Sequence, residues 1–96
     1  PFGRVAQVVV SGTDEEAARG AAAQLARSSP NPEGCELLGP APAPIARLRG
    51  RYRFQLLVKG SDHNAVWRTA RRLATASEML PAAIRVRVDV NPVDML

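Results

Sequence analysis

Four arginines at alternate positions are the residues of this chain best suited to chemistry with an anion. Arg47, Arg49, Arg51 and Arg53 lie in the segment Arg47 to Lys59, which supplies five cations. A guanidinium pairs with phosphate or carboxylate through two parallel hydrogen bonds, so this group predicts contact with phosphates. The apolar residues between them alternate as in a strand, where every second residue shares a face at a spacing of about 6 to 7 Å.

Positive charge is concentrated in the second half of the chain. The 96 residues carry 13 Lys and Arg against 9 Asp and Glu, for a formal net charge of +4, and twelve of the cations are Arg. Between Arg47 and Arg87 ten cations accompany two acids, Asp62 and Glu78. This asymmetry indicates one basic region and favours a polyanionic partner. Arg85 and Arg87, on the last predicted strand, complete the candidate DNA-binding set.

A second basic group lies on a predicted helix. Arg68, Arg71 and Arg72 are spaced i, i+3, i+4 and form a ridge that is either a solvated helix face or a site for DNA or an acidic peptide tail. Trp67 beside it is either a core residue or an apolar surface for such a partner. His63, the single histidine, has no nucleophile placed to work with it and is expected to be a solvated helix residue rather than a base.

Several kinds of chemistry have no basis in these residues. There is no GxxxxGK[ST] phosphate loop and no paired cysteine spacing, and the single Cys35 is expected to be a small buried hydrophobe. We therefore predict no catalysis, cofactor or metal for this chain. No apolar run approaches the ~20 residues of a membrane span. The chain begins with Pro1, so we expect a single domain cut from a larger protein.

The first half of the chain predicts a strand and then a helix. Arg4 to Ser11 is Val-rich, with Ala6, Val8 and Val10 on one face. Thr13 and Glu16 form a capping box, so a helix is expected from there to about Arg27, ended by a loop from Ser28 to Gly34. Its buried stripe is expected to be Ala18, Ala21, Ala22 and Leu25.

The middle of the chain predicts a short strand, a stiff extended segment and a long strand. Cys35 to Leu38 is the short strand, and the alternate prolines of Gly39 to Ile45 fix an extended lead that holds Arg47 and Arg49 where the next strand begins. Arg51 to Lys59 is the clearest strand. Its apolar face is Tyr52, Phe54, Leu56 and Val58, and its opposite face carries Arg51, Arg53, Gln55 and Lys59, with Leu57 as the exception.

The remainder predicts a helix and a last strand. Ser61 is the expected cap of a helix that ends at Pro81, with an inward row of Val66, Ala70, Leu73 and Ser77 flanked by Trp67 and Ala74. Ile84 to Val90 follows as a strand. The order β-α-β-β-α-β predicts an α+β two-layer sandwich with both helices on one face of a four-stranded sheet. The other face is then expected to show Gln7, Arg51, Arg53, Gln55, Arg85 and Arg87.

The same element order leaves an RNA-binding alternative open. Arg49 to Phe54 is loosely similar to the third-strand signature of an RNA recognition motif, in which alternating aromatic side chains stack on bases. Here Tyr52 and Phe54 share a face with Leu56 and Val58, so they are expected to point to the helices. Their exposure on the open sheet face would favour this alternative.

Three segments together resemble a known family. PFGR at Pro1 to Arg4, LGPAPAPIARLRGRYRFQLLVK at Leu38 to Lys59 and RVRVDVNP at Arg85 to Pro92 resemble the C-terminal domain of the primosomal protein N′ (PriA) family of bacterial replication restart helicases. The resemblance covers the whole chain and implies an S10-like fold. It implies that the parent protein is an ATP-dependent 3′-5′ DNA helicase of the bacterial cytoplasm, associated with the nucleoid, that uses ATP, Mg and Zn outside this fragment.

The resemblance also implies partners for this domain. They are the helicase core of the same chain, branched and single-stranded DNA at stalled forks, other primosome proteins, and the acidic tail of single-stranded DNA-binding protein. The family carries basic or amide residues toward the tail pocket at the start of the second helix, where this chain has His63 and Trp67. Two alternatives remain open: the arginines pair with acids of the helicase core, or the domain only docks the helicase lobes.

Overall fold

The structure of the chain is a computed structural model that describes residues 3–92. Six elements follow one another in the order β-α-β-β-α-β: β1 (Arg4–Gly12), α1 (Glu15–Arg27), β2 (Glu36–Leu48), β3 (Arg51–Gly60), α2 (His63–Ser77) and β4 (Arg85–Pro92). The predicted α+β order is confirmed. Pro1 and Phe2, part of the first segment that carried the family resemblance, lie outside the described residues.

One antiparallel sheet contains the four strands in the order β2-β3-β1-β4. The two central strands are thus β3 and β1. Both helices pack on the sheet face that carries the apolar rows of these two strands. Ala6, Val8 and Val10 of β1 and Leu56 and Val58 of β3 have no exposed surface. Burying a Val or Leu side chain stabilises the fold by roughly 1.5–3 kcal/mol relative to exposure.

The helices bury the predicted stripes with small additions. The buried residues of α1 are Ala18, Ala21, Ala22 and Leu25, as predicted. In α2 the buried set is Ala65, Val66, Thr69, Ala70 and Leu73, so the prediction missed Ala65 and Thr69 and placed Ser77, which is only half-buried, too deep. Thr69 is tolerated inside because its hydroxyl lies 3.3 Å from Cys35 Sγ.

Both helix caps lie one residue later than predicted. Asp14, not Thr13, accepts the N–H of Ala17 at 2.9 Å. Asp62, not Ser61, accepts the N–H groups of Asn64 and Ala65 at 2.9 and 3.3 Å. A carboxylate at this position both accepts the free N–H groups and meets the positive end of the helix dipole.

The proline lead is itself part of the second strand, which corrects the prediction of a short strand ending at Leu38. β2 runs through Pro40, Pro42 and Pro44 to Leu48, with register shifts between Leu38 and Ala41 and between Pro42 and Arg47. The three prolines are tolerated because β2 is an edge strand, where a missing N–H can face solvent. Cys35, half-buried against the core, precedes this strand.

Candidate nucleic-acid interface

Five arginines line one open concavity on the sheet face that the helices leave free. Arg51 and Arg53 come from β3, Arg85 and Arg87 from β4, and Arg49 from the turn between β2 and β3. The concavity has a volume of about 710 Å³, and Val9, Ser11 and Leu48 form much of the remaining wall. The predicted open-face row of arginines is therefore present, and it is gathered at one end of the sheet.

The register of the sheet brings these arginines together. Ser11 at the end of β1 is opposite Arg53 in β3 and opposite Arg85 in β4. The three residues therefore form one row across the sheet, although Arg53 and Arg85 are far apart in sequence. A shift of either strand by one residue would turn its arginines to the helix side.

Arg51 holds the strands together at this site. Its Nε donates to Ser11 Oγ at 3.1 Å, and its Nη2 donates to the backbone oxygens of Ser11 at 2.9 Å and Ala83 at 3.1 Å. The guanidinium of a β3 residue thus fixes the end of β1 and the residues just before β4. Two N–H groups of Nη1 remain for an external anion.

Arg53 is hydrogen-bonded to β2 and not to β1. Its Nη1 donates to the backbone oxygen of Ile45 in the irregular part of β2 at 2.9 Å. This bond spans the second register shift of the β2–β3 pair, where ladder hydrogen bonds are interrupted. Arg51 and Arg53 are therefore half-buried, structurally engaged cations and not free side chains.

Arg85 and Arg87 are the exposed cations of the concavity. Both are exposed on β4, and Arg87 Nε lies 3.2 Å from Asp89 Oδ2 with 79% of the Arg87 side chain accessible. An ion pair so exposed contributes little to stability. Both side chains are accordingly accessible from solvent.

Arg49 occupies a strained turn position. It has φ of 53° and precedes Gly50 with φ of 78°, in a two-residue connection between Leu48 and Arg51. Two consecutive positive φ values are typical of the type I′ hairpin turn, which favours Asn followed by Gly. The turn places the Arg49 side chain at the rim of the concavity.

Arg47 lies on the other face, so the structure divides the four arginines that the sequence grouped. It pairs with Tyr52 across the β2–β3 ladder, and its Cζ is 4.7 Å from the centroid of the Tyr52 ring. Tyr52 belongs to the helix-side row of β3, with Phe54. The register shift between Pro42 and Arg47 changes which β2 side chains face each way.

The aromatic residues of β3 do not form a base-stacking platform. Phe54 is 5% exposed, and Tyr52 is half-buried beneath Arg47 on the helix side. Base stacking in an RNA recognition motif requires exposed rings on the open sheet face. The position of these two rings argues against that alternative.

The helix ridge is exposed, as both of its interpretations required. Arg68, Arg71 and Arg72 all reach solvent on α2 and border a shallow depression of about 520 Å³ with Ser28 and Thr75. The ridge lies on the helix layer, so the sandwich separates it from the five arginines of the concavity.

Trp67 is a surface residue, so of the two alternatives given for it the core residue is wrong. It is 45% exposed and lies in a groove of about 420 Å³ between α2 and β4, with Ala70, Ala74, Val88 and Val90. Arg71 Cζ lies 5.9 Å from the ring centroid. The groove thus combines an aromatic wall, small apolar residues and one guanidinium.

His63 lies one turn before Trp67 on α2. It is exposed, and its Nδ1 accepts a hydrogen bond from Arg4 Nε at 3.3 Å. Sequence analysis missed this role of Arg4, and it missed Ser11 and Leu48 at the concavity. Only Leu48, an apolar residue among alternate arginines, offered a signal in the sequence.

Two further findings concern the described part of the chain. Within residues 3–92 no cluster of three His, Cys, Asp or Glu side chains is placed to hold a metal ion. In the same range no helix has the length and hydropathy needed to cross a membrane.

Comparison with known protein families gives a match over almost the entire chain. The family model described as the primosomal protein N C-terminal domain matches residues 1–93. The probable replication restart protein PriA of Deinococcus radiodurans is 39% identical over 97 residues, which cover 96% of this chain and 10% of that protein. The replication restart protein PriA of Treponema pallidum is 32% identical over 98 residues, covering 100% of this chain and 15% of that protein.

Solved structures support the fold. A de novo designed protein superposes with a TM-score of 0.68 at 13% identity, covering 93% of this chain and 96% of the designed one. A hydantoinase/carbamoylase family amidase from Burkholderia ambifaria superposes with a TM-score of 0.57 at 19% identity, covering 94% of this chain and 27% of the amidase. Identities this low carry the architecture and not the chemistry.

Proposed function

The chain belongs to the primosomal protein N C-terminal domain family, and on that premise we propose that it is the DNA-binding and interaction domain of a replication restart protein. The chain spans only 10% to 15% of the two relatives compared above. The parent is proposed to be a cytoplasmic ATP-dependent helicase that uses ATP, Mg and Zn elsewhere in its chain. The domain itself is proposed to bind and not to catalyse.

The observation that carries DNA binding is the convergence of five arginines on one concavity of the open sheet face. Guanidinium groups that neutralise phosphates release counterions, which gives sequence-independent affinity. Arg85, Arg87 and Arg49 are assigned direct phosphate contact because they are exposed. Arg51 and Arg53 are assigned mainly to holding the surface in shape, because their guanidinium groups already donate to backbone oxygens.

Salt titration of DNA binding tests this assignment. Fluorescence anisotropy of a labelled single strand and of a labelled fork, titrated with the 96-residue chain, gives the association constant at each salt concentration. The slope of its logarithm against the logarithm of the salt concentration is then compared between variants. Removing Arg49, Arg85 and Arg87 together by Gln substitution is expected to reduce the slope by about 0.7 per lost contact on a single strand and about 0.9 on duplex.

Arg47→Gln is the matched control. It removes one positive charge, against three in the triple variant, from the opposite face, so the slope is expected to stay at the wild-type value. A loss of slope in Arg47→Gln that is one third of the loss in the triple variant would show that only net charge matters. An unchanged slope in the triple variant would overturn the site, and no binding at low salt would favour a structural domain that docks the helicase core.

A second candidate function is favoured by the Trp67 groove. Trp67, Arg71 and the apolar residues of α2 and β4 offer an aromatic wall and a cation to an acidic peptide tail with apolar residues. Arg68, Arg72 and His63 are assigned to attracting that tail, which is proposed to be that of single-stranded DNA-binding protein. Other primosome proteins are further proposed partners.

The indole of Trp67 reports directly on this candidate, since it is the single tryptophan of the chain. An acidic, apolar-ended peptide is expected to shift its emission to shorter wavelength. Arg71→Gln is expected to weaken binding of the acidic peptide. A peptide with its acidic residues replaced by the corresponding amides serves as the control. Equal responses to both peptides would rule out a charge-dependent tail site.

A further inference from the structure

Two apolar side chains lie among the arginines of the concavity. Val9 belongs to the central strand β1, where its partners in register are Gln55 of β3 and Arg87 of β4. It is 8% exposed and forms the floor of the concavity, whereas Leu48, at the end of β2, is 45% exposed and forms part of its rim. Contact with phosphates alone makes no use of these two side chains, because a phosphate group has no apolar surface to bury.

The guanidinium groups of Arg51 and Arg53 are held in fixed planes. Arg51 donates hydrogen bonds to Ser11 and to the backbone oxygen of Ala83. Arg53 donates one to the backbone oxygen of Ile45. The N–H groups of a guanidinium lie in its plane, so these bonds orient the group without using its faces, on which nucleobases stack. Since folding has already ordered both side chains, stacking on them costs little further side-chain entropy.

The exposed cations of the concavity suit the charged part of a nucleotide. Arg49, Arg85 and Arg87 line the same concavity and reach solvent. The site thus has an apolar floor, fixed planar groups beside it and accessible positive charge around it. A nucleotide of a single strand has the matching parts, an aromatic base and a flanking phosphate on each side. In a duplex the bases are stacked and paired, so they present only their edges to a protein.

From this arrangement we infer that the concavity receives an unpaired base of single-stranded DNA. The base lies against Val9, Leu48 and the two fixed guanidinium groups, and its flanking phosphates lie on the exposed arginines. The inference rests on the DNA-binding function proposed above, and it adds that this site recognises unpaired bases as well as phosphates. It requires no aromatic side chain on the open sheet face, since the guanidinium planes of Arg51 and Arg53 take that role.

A strand without bases tests the inference directly. Fluorescence anisotropy of a labelled oligothymidylate, titrated with the 96-residue chain, is compared with that of an abasic sugar-phosphate strand of the same length. The two strands carry the same number of phosphates, so their salt slopes are expected to be similar. The association constant of the abasic strand is expected to be about 5- to 150-fold lower, which corresponds to the loss of one stacked base.

Leu48→Gln tests where the base lies. It is expected to weaken binding of oligothymidylate by about fourfold for each methylene group that the base covers. Binding of the abasic strand and of a duplex is expected to stay unchanged. Leu38→Gln is the matched control, because Leu38 is 41% exposed on the same strand and lies outside the concavity. Its affinities are expected to follow those of the wild type, and circular dichroism confirms that both variants are folded.

Three outcomes would overturn the inference. Equal affinities for oligothymidylate and the abasic strand would leave a site for phosphates alone, with the proposed DNA binding intact. Equal affinities of Leu48→Gln and Leu38→Gln for oligothymidylate would place the base elsewhere on the domain. Failure of both strands to bind at low salt would overturn the proposed function together with the inference that rests on it.

Discussion

Arg51 is bonded to Ser11 through two atoms of each residue. Arg51 Nε donates to Ser11 Oγ at 3.1 Å, and Arg51 Nη2 donates to the Ser11 backbone oxygen at 2.9 Å. The Nη2 atom also reaches Ala83, just before β4. A cation that the sequence indicates as a phosphate ligand thus joins β3, the end of β1 and the residues just before β4 at one end of the sheet.

Replacing Arg51 is expected to weaken the fold. Arg51→Ala removes three hydrogen bonds from a half-buried charged donor, and the free energy of unfolding is expected to fall by about 1–3 kcal/mol. Urea denaturation followed by circular dichroism measures it. Arg85→Ala, an exposed residue of the same face, is the control and is expected to change stability by less than about 0.5 kcal/mol. Equal losses in the two variants would contradict the structural role of Arg51.

Replacing Arg49 is expected to stabilise the fold and to weaken DNA binding. Its φ of 53° costs an ordinary side chain about 1 kcal/mol, and Asn tolerates this region better. Arg49→Asn is therefore expected to raise the free energy of unfolding by up to about 1 kcal/mol while weakening DNA binding. Thermal unfolding and anisotropy on the same preparation measure both. A variant that gains stability and keeps full affinity would remove Arg49 from the interface.

The two cap assignments predict a clear difference between neighbouring residues. Asp62→Ala removes the acceptor of two backbone N–H groups and is expected to cost about 1 kcal/mol. Ser61→Ala is expected to be nearly neutral, because the Asp62 carboxylate already accepts those N–H groups. The pair Asp14→Ala and Thr13→Ala is expected to behave in the same way. Urea denaturation midpoints, compared at constant m-value, measure the change in stability of each variant. A larger loss of stability for Ser61→Ala or Thr13→Ala would favour the cap positions predicted from the sequence.

Two glycines are expected to respond in opposite directions to alanine. A Cβ at Gly20 in α1 meets nothing within 4 Å, so Gly20→Ala is expected to stabilise by about 0.5–1 kcal/mol through the unfolded state. A Cβ at Gly60 would lie 2.9 Å from both Cys35 Cβ and the Gly34 oxygen, so Gly60→Ala is expected to destabilise. The melting temperatures of the two variants should move apart. A rise in both would show that the Gly60 contact can relax.

Periodicity alone was enough to predict which residues β1, β3 and α1 bury. Val8 and Val10 in β1, and Leu56 and Val58 in β3, are buried where their period-2 spacing placed them. Ala18 and Leu25 are buried where the helical period placed them. The patterns predict burial because each element must bury one face, and the local spacing of apolar residues determines which face that is.

The irregular strand and the helix caps were less predictable. Pro40, Pro42 and Pro44 favoured an extended segment, but their presence in a strand depends on β2 lying at an edge. Thr13 and Asp14, like Ser61 and Asp62, are neighbouring residues that can each cap a helix. The choice between them depends on where the preceding chain approaches, which is a tertiary property.

The sequence by itself determined the basic character of the second half, the element order and the open-face parity of Arg51, Arg53, Arg85 and Arg87. Tertiary structure alone decided which cations lie together. The pairing of Ser11 with both Arg53 and Arg85 brings these arginines to the same concavity. The register shift in β2 places Arg47 on the same sheet face as Tyr52. The physical reason is that a strand's period fixes its two faces, whereas register, set by pairing between distant segments, fixes which side chains meet.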